Sequence, residues 1–132
     1  MHKFALVLKC SAPVFIVVGA LHLFLGIGAD VILGAKLSAA AIADPVLDSQ
    51  NRFYGVSFSL YGVLLYLCST DIVKYHAVLK CVIWVFFAAG VARLLSIAVY
   101  GVPSAAVLIL LSSELVLPPL LAIWLHRLLN KA

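Results

Sequence analysis

Long apolar stretches follow one another along the chain, with short polar segments between them. A helix needs roughly 20 residues to cross a hydrocarbon layer about 30 Å thick, and four of the stretches approach or exceed that length. The predicted spans cover about residues 10–29, 52–69, 77–100 and 104–126. The pattern therefore predicts an all-α membrane protein, a four-helix transmembrane bundle that forms a single domain over residues 1–132.

The connections between these spans are short, with one exception. Residues 31–50 mix charged side chains with the small-residue run 38–41, which predicts a short helix at the membrane surface. Asp44 and Pro45 should end that helix, because the residue before a proline disfavours helical backbone angles. Pro103 precedes the fourth span, close to the first-turn position that proline favours.

Composition supports the same class of protein. Hydrophobic residues make up 66% of the chain and charged residues 11%, which leaves too little charge to cover the surface of a soluble domain. The formal net charge is +4, but the basic residues are scattered singly and form no stripe for a phosphate backbone. We therefore expect the lipid bilayer as a partner and no nucleic acid.

Lysine and arginine residues near the span ends predict the orientation. One side of the membrane collects most of them, whereas the other side has two, accompanied by three aspartates. By the positive-inside rule both termini and the link between the second and third spans are predicted to be cytoplasmic. The first set is Lys3, Lys9, Lys74, Lys80, Arg127 and Lys131, and the second is Lys36 and Arg52.

Two charged residues lie deep within predicted spans, Arg93 in the third and Glu114 in the fourth. A lone ionised side chain near the bilayer centre costs at least about 2.5 to 3.5 kcal/mol, so we expect the two to pair. Helical rise places them and His22 about 10 to 15 Å from the outer ends of their spans, in the outer half of the membrane. The candidate ligand-binding residues, which we expect around one externally open cavity, are His22, Asp30, Asn51, Arg52, Arg93, Ser96 and Glu114.

Two prolines add a backbone feature to the fourth span. Pro118 and Pro119 have no amide hydrogen, so the carbonyls of Glu114 and Leu115 lose their helical donors. A bend is expected there. A carboxylate beside freed carbonyls is also how transporters build cation or substrate sites.

Several functions are compatible with these residues. The leading hypothesis is a non-enzymatic protein that binds a small amphiphile, a lipid or a quinone, or docks onto a larger membrane complex. The alternatives are a small, oligomeric proton-coupled transporter that uses Glu114, and a membrane enzyme with His22 and Glu114 as acid and base. A further alternative is that Arg93 and Glu114 form a structural ion pair, which fixes the register of the two helices and has no other role. The three cysteines are predicted to be buried and unreactive, and the motifs predict no catalytic residues, metal site or cofactor.

Four segments together resemble a family of small bacterial four-span membrane proteins known only as a domain of unknown function. The resemblance covers nearly the whole chain and implies a multi-pass protein of the bacterial inner membrane, without implying an activity. The segments are GALHLFLGIGAD (19–30), LDSQNRFYGVSFSLYG (47–62), ARLLSIAVYGVPS (92–104) and SELVLPPLL (113–121).

Overall fold

The computed structural model describes residues 1–131, which are 83% helical and contain no strand. Four of the helices in that range are long and apolar enough to cross a membrane, so the predicted all-α membrane fold is confirmed. The helices are α1 (His2–Leu25), α2 (Gly28–Ile32), α3 (Ala39–Ile42), α4 (Pro45–Thr70), α5 (His76–Tyr100) and α6 (Ala105–Leu129).

Two compact units make up the chain. The first comprises Ala5–Thr70, and the second comprises residues 1–4 together with the chain from Asp71 onward. The first unit holds most of α1 together with α2, α3 and α4, and the second holds α5 and α6. That the chain forms a single domain stays a prediction from the sequence.

In the first unit α1 packs against α4 through glycine. A Cβ atom built on Gly19 would lie 2.6 Å from the carbonyl oxygen of Gly55, and one built on Gly55 would lie 2.6 Å from that of Gly19. Further along, a Cβ on Gly62 would lie 2.7 Å from the carbonyl oxygen of Ala12. The two backbones therefore approach each other at positions where no side chain fits, as small-residue faces of membrane helices allow.

The end of α1 differs from the predicted span, which continued to residue 29. Gly26 has a φ of 57°, a left-handed conformation that commonly ends helices, and its amide still donates to the carbonyl of His22 at 2.8 Å. The chain then enters the separate helix α2. The break changes the direction of the chain before Asp30, so a continuous helical face cannot be extended from His22 to Asp30.

Side-chain caps organise the start of α4. The Oδ1 atom of Asp44 accepts hydrogen bonds from the amides of Val46 at 2.8 Å and Leu47 at 3.1 Å, and Pro45 occupies the first helical position. As a result α4 begins about two turns before the predicted span, and Asn51 lies in these additional turns.

The second unit is built on an α5–α6 hairpin. Gly101, with a φ of 90°, follows α5, and a four-residue connection leads into α6. A Cβ atom built on Gly90 would lie 3.0 Å from the Cβ of Glu114, so this glycine admits α6 at the level of the acidic residue. At the other end of α6, Trp124 makes an edge contact with Phe4, with ring centroids 5.0 Å apart.

Candidate functional site

Three of the polar residues singled out in the sequence meet at one end of the first unit. The break after α1 places Asp30, on α2, beside Asn51 in the early turns of α4, and the Asn51 amide nitrogen donates to the Asp30 carboxylate. On the other side of the same carboxylate, the His22 Nε2 atom lies 3.5 Å from Asp30 Oδ1. Asp30 is thus the centre of the group.

The second ring nitrogen of His22 determines how it faces Asp30. Its Nδ1 atom lies 2.9 Å from the carbonyl oxygen of Val18, one turn earlier on α1. Because a carbonyl only accepts, Nδ1 carries the hydrogen of this bond. A neutral His22 therefore presents an unprotonated Nε2, a second acceptor, to the Asp30 carboxylate.

Asn51 has one unpaired polar atom. Its carbonyl oxygen Oδ1 is buried and has no hydrogen-bond partner within the described part of the chain. A buried acceptor without a donor costs about 1 to 3 kcal/mol, so such an atom in a native protein indicates a missing donor. Because the amide nitrogen donates to Asp30, the two ends of the amide cannot exchange places without losing that bond, and Oδ1 is left as an acceptor for a further donor.

Arg52 has a different set of contacts from its neighbours. Its Nε donates to Asp48 Oδ2 at 2.7 Å, and its Nη1 donates to the carbonyls of Leu23 at 2.9 Å and Phe24 at 3.1 Å. These carbonyls belong to the last turn of α1, whose oxygens have no helical donors. Asp48 Oδ1 in turn accepts from the amide of Ile27 at 3.4 Å. Arg52 and Asp48 thus hold the turn that positions Asp30.

Asp48 was not among the residues singled out from the sequence. The spacing of four between Asp48 and Arg52 on one helix is the signal that could have identified the pair. Its link to the amide of Ile27 could not have been read from sequence, because it depends on how α1 meets α4.

An open cleft of about 340 Å³ lies beside this group. Sequence reasoning identified Asp30 and Asn51 but missed the rest of the lining. The spacing of Leu47, Asn51 and Tyr54 places them on one face of α4, whereas the opposite wall comes from the irregular connection after α2. The polar lining residues are Asp30, Gln50, Asn51 and Tyr54, and the apolar ones are Ile27, Ala35, Leu37 and Leu47.

In the second unit Arg93 and Glu114 contact each other across the α5–α6 hairpin. The Arg93 Nε donates to Glu114 Oε2 at 2.7 Å. The exposed fraction of the side chain is 2% for Glu114 and 35% for Arg93, so the carboxylate is enclosed while part of the guanidinium remains accessible. Ser96, one turn beyond Arg93 on α5, is exposed.

With both groups of residues placed, comparison with known proteins gives the family. The model of the family described as Domain of unknown function (DUF4345) matches residues 4–125. The chain belongs to this family. Neither a curated protein nor a solved structure shows significant similarity to it.

The sequence predicted that all seven candidate residues surround one cavity of this DUF4345 protein. Within the first unit His22, Asp30, Asn51 and Arg52 lie together, and within the second unit Arg93 contacts Glu114. That the two groups share a cavity stays a prediction.

The donors that metals prefer are dispersed in this DUF4345 protein. Over residues 1–131, no group of three or more His, Cys, Asp or Glu side chains is arranged to hold a metal ion. The predicted burial of the cysteines holds for Cys68 but is wrong for Cys10 and Cys81, which are exposed, and all three are free thiols.

Proposed function

We propose that this protein binds one small amphiphile, a lipid or a quinone, in the cleft beside Asp30 and Asn51. The observation that carries the proposal is that the lining of this cleft combines a carboxylate and Asn51, whose buried Oδ1 is unpaired, with an apolar wall. Small-molecule sites have this character, being largely apolar with a few placed polar groups, and occupy about 300 to 1,000 Å³.

The size of the cleft indicates which part of an amphiphile it holds. At about 340 Å³ it has room for a head group and the first part of a chain. The rest of a long chain would continue along the apolar surface of α1 and α4, which exposes large residues such as Val56 and Leu60. Docking onto a larger membrane complex through the same cleft is the alternative that the test below separates.

We place the cleft at the outer surface of a bacterial inner membrane. The proposal rests on the basic residues near the span ends, which favour cytoplasmic termini, and on the lining of the cleft, which comes from the connection after α1 and from the start of α4. The end of α1 and the start of α4 then face the periplasm.

A cleft-filling variant tests the proposed function. Purified protein in detergent is mixed with phosphatidylethanolamine, phosphatidylglycerol and ubiquinone, and retained molecules are counted by native mass spectrometry. We expect one retained amphiphile per chain in the wild type and at least about a fivefold loss in Leu47→Trp, because the indole occupies the apolar wall. Leu120→Trp, at an exposed position of α6 outside the cleft, is the matched control. Equal retention by the two variants would refute the proposal.

Proton-coupled transport through Glu114 and acid–base catalysis by His22 and Glu114 stay predictions from the sequence. The groups they depend on have other partners in the structure, since Glu114 accepts from Arg93 and His22 contacts Val18 and Asp30.

A further inference from the structure

The cleft of the first unit has acceptors and negative charge but no basic lining residue within the described part of the chain. Asp30 is the only charged residue in its lining. Arg52, the nearest arginine in sequence, is engaged with Asp48 and with the carbonyls that end α1. Lys36 is exposed between two lining residues and does not itself line the cleft. The electrostatic character of the cleft is therefore opposite to that of a phosphate or carboxylate site.

The hydrogen-bonding groups require a ligand that donates. The Asn51 amide nitrogen is used by Asp30, so the unpaired Oδ1 atom can only accept. A quinone carbonyl, a phosphate or a carboxylate is itself an acceptor, and each would leave Oδ1 without a donor. Hydroxyl and ammonium groups both supply one.

Charge distinguishes these two donors. The Asp30 carboxylate accepts a hydrogen bond from Asn51 and is the charged group of the cleft lining. A group with positive charge and several N–H bonds would neutralise this carboxylate and could donate to a second acceptor as well. A primary ammonium has three such bonds, whereas a hydroxyl has one donor and no charge.

We infer that the ligand of this cleft carries a protonated primary amine, which binds the carboxylate of Asp30 and the carbonyl oxygen of Asn51. This inference rests on the proposed function. Asp30 is the accessible anchor, because 38% of its side chain is exposed. Asn51 Oδ1 is covered, so the amine reaches it only when the residues around it rearrange.

A series of head groups tests the amine directly. Phosphatidylethanolamine and its mono-, di- and trimethylated forms, with identical acyl chains, keep the positive charge but lose N–H donors one at a time. In the native mass-spectrometric assay we expect retention to fall along the series, with about a tenfold preference for the primary amine over the trimethylated form. Equal retention across the series, or a preference for phosphatidylglycerol, would overturn the inference.

Two variants locate the preference in the cleft. Asp30→Asn keeps the shape but removes the charge, and we expect the preference for the primary amine to disappear while lipid is still retained on the apolar wall. Asp71→Asn is the control, because Asp71 is exposed and lies outside the cleft, and this variant should keep the full preference for the primary amine. An unchanged preference in Asp30→Asn would contradict the inference. If that variant does not fold, the head-group series on the wild type decides.

The source of the amine is identified by competition. Tetradecylamine that displaces phosphatidylethanolamine indicates that a free long-chain amine is sufficient, whereas its failure to do so assigns the site to the lipid head group. Tetradecanol that competes as well as tetradecylamine would overturn the inference. A wild type that retains no amphiphile refutes the proposed function itself, whereas retention without head-group preference refutes only the amine.

Discussion

At the scale of single residues, the Arg93–Glu114 pair and the residues around Asp30 differ in how completely their polar atoms are hydrogen-bonded. The Arg93–Glu114 contact joins two adjacent helices and encloses the acid almost completely, as a pair that sets helix register would. The Asp30 group instead has acceptors left over and lies beside an open cleft. We therefore propose the ligand site beside the unpaired Asn51 oxygen and not at the enclosed Arg93–Glu114 pair.

Removing one member of the Arg93–Glu114 pair should cost more than removing both. Arg93→Met leaves a buried carboxylate without its cation, and we expect a loss of about 3 kcal/mol in the free energy of unfolding. The double variant with Glu114→Leu should recover most of that loss, because no uncompensated charge remains. Denaturant unfolding in detergent, followed by tryptophan fluorescence, measures both.

Arg127→Met is the control for this comparison, since Arg127 is exposed near the end of α6. It should change the unfolding free energy by less than about 0.5 kcal/mol. A double variant as unstable as Arg93→Met would contradict a register-setting role and would renew interest in Glu114 as a functional carboxylate.

At the scale of helices, close approach of backbones determines where side chains meet. The Gly19–Gly55 contact sets the distance between α1 and α4, and it lies less than two turns from the residues that hold the cleft. The break at Gly26 then redirects the chain so that Asp30 reaches Asn51. A change in helix spacing should therefore affect the cleft as well as stability.

Gly55→Ala tests this dependence. The added methyl group has no space, since it would lie 2.6 Å from a backbone oxygen that cannot move independently. We expect a loss of about 1 to 3 kcal/mol in unfolding free energy, together with weaker retention of the amphiphile. The measurements are denaturant unfolding and native mass spectrometry.

Gly28→Ala is the matched control, because a Cβ atom there would make only an ordinary contact, 3.8 Å from the Cβ of Leu25. Equal effects of the two substitutions would indicate that the helix spacing at Gly55 has no special importance.

At the scale of the whole molecule, the charge distribution predicts the orientation of the spans. Four helices long and apolar enough to cross a membrane are present in the described chain, and four crossings would return the C-terminus to the side of the N-terminus. The basic residues favour the cytoplasm for that side.

Single cysteines test the orientation in a background without the three native ones. Lys36→Cys, in the exposed connection after α2, should react with a membrane-impermeant maleimide in right-side-out vesicles. Lys74→Cys, in the exposed link between α4 and α5, should react only in inverted vesicles, because the charge distribution predicts that this link is cytoplasmic. The reverse pattern would place the cleft in the cytoplasm.

The sequence by itself determined the fold class and the family, because both depend on features written along the chain. Apolar length predicts membrane-crossing helices whatever their neighbours are, and a family match needs only the order of residues. Local signals also predicted the short helix near residue 39.

Only the tertiary structure decided which polar residues are satisfied and which are not. Asn51 and Arg52 are adjacent in sequence, yet one has an unpaired oxygen beside a cleft and the other caps α1. Those roles depend on a left-handed glycine and on how closely two helices approach. Neither is encoded in hydrophobic periodicity, which specifies the buried face of a helix but not the partner that each polar atom finds across it.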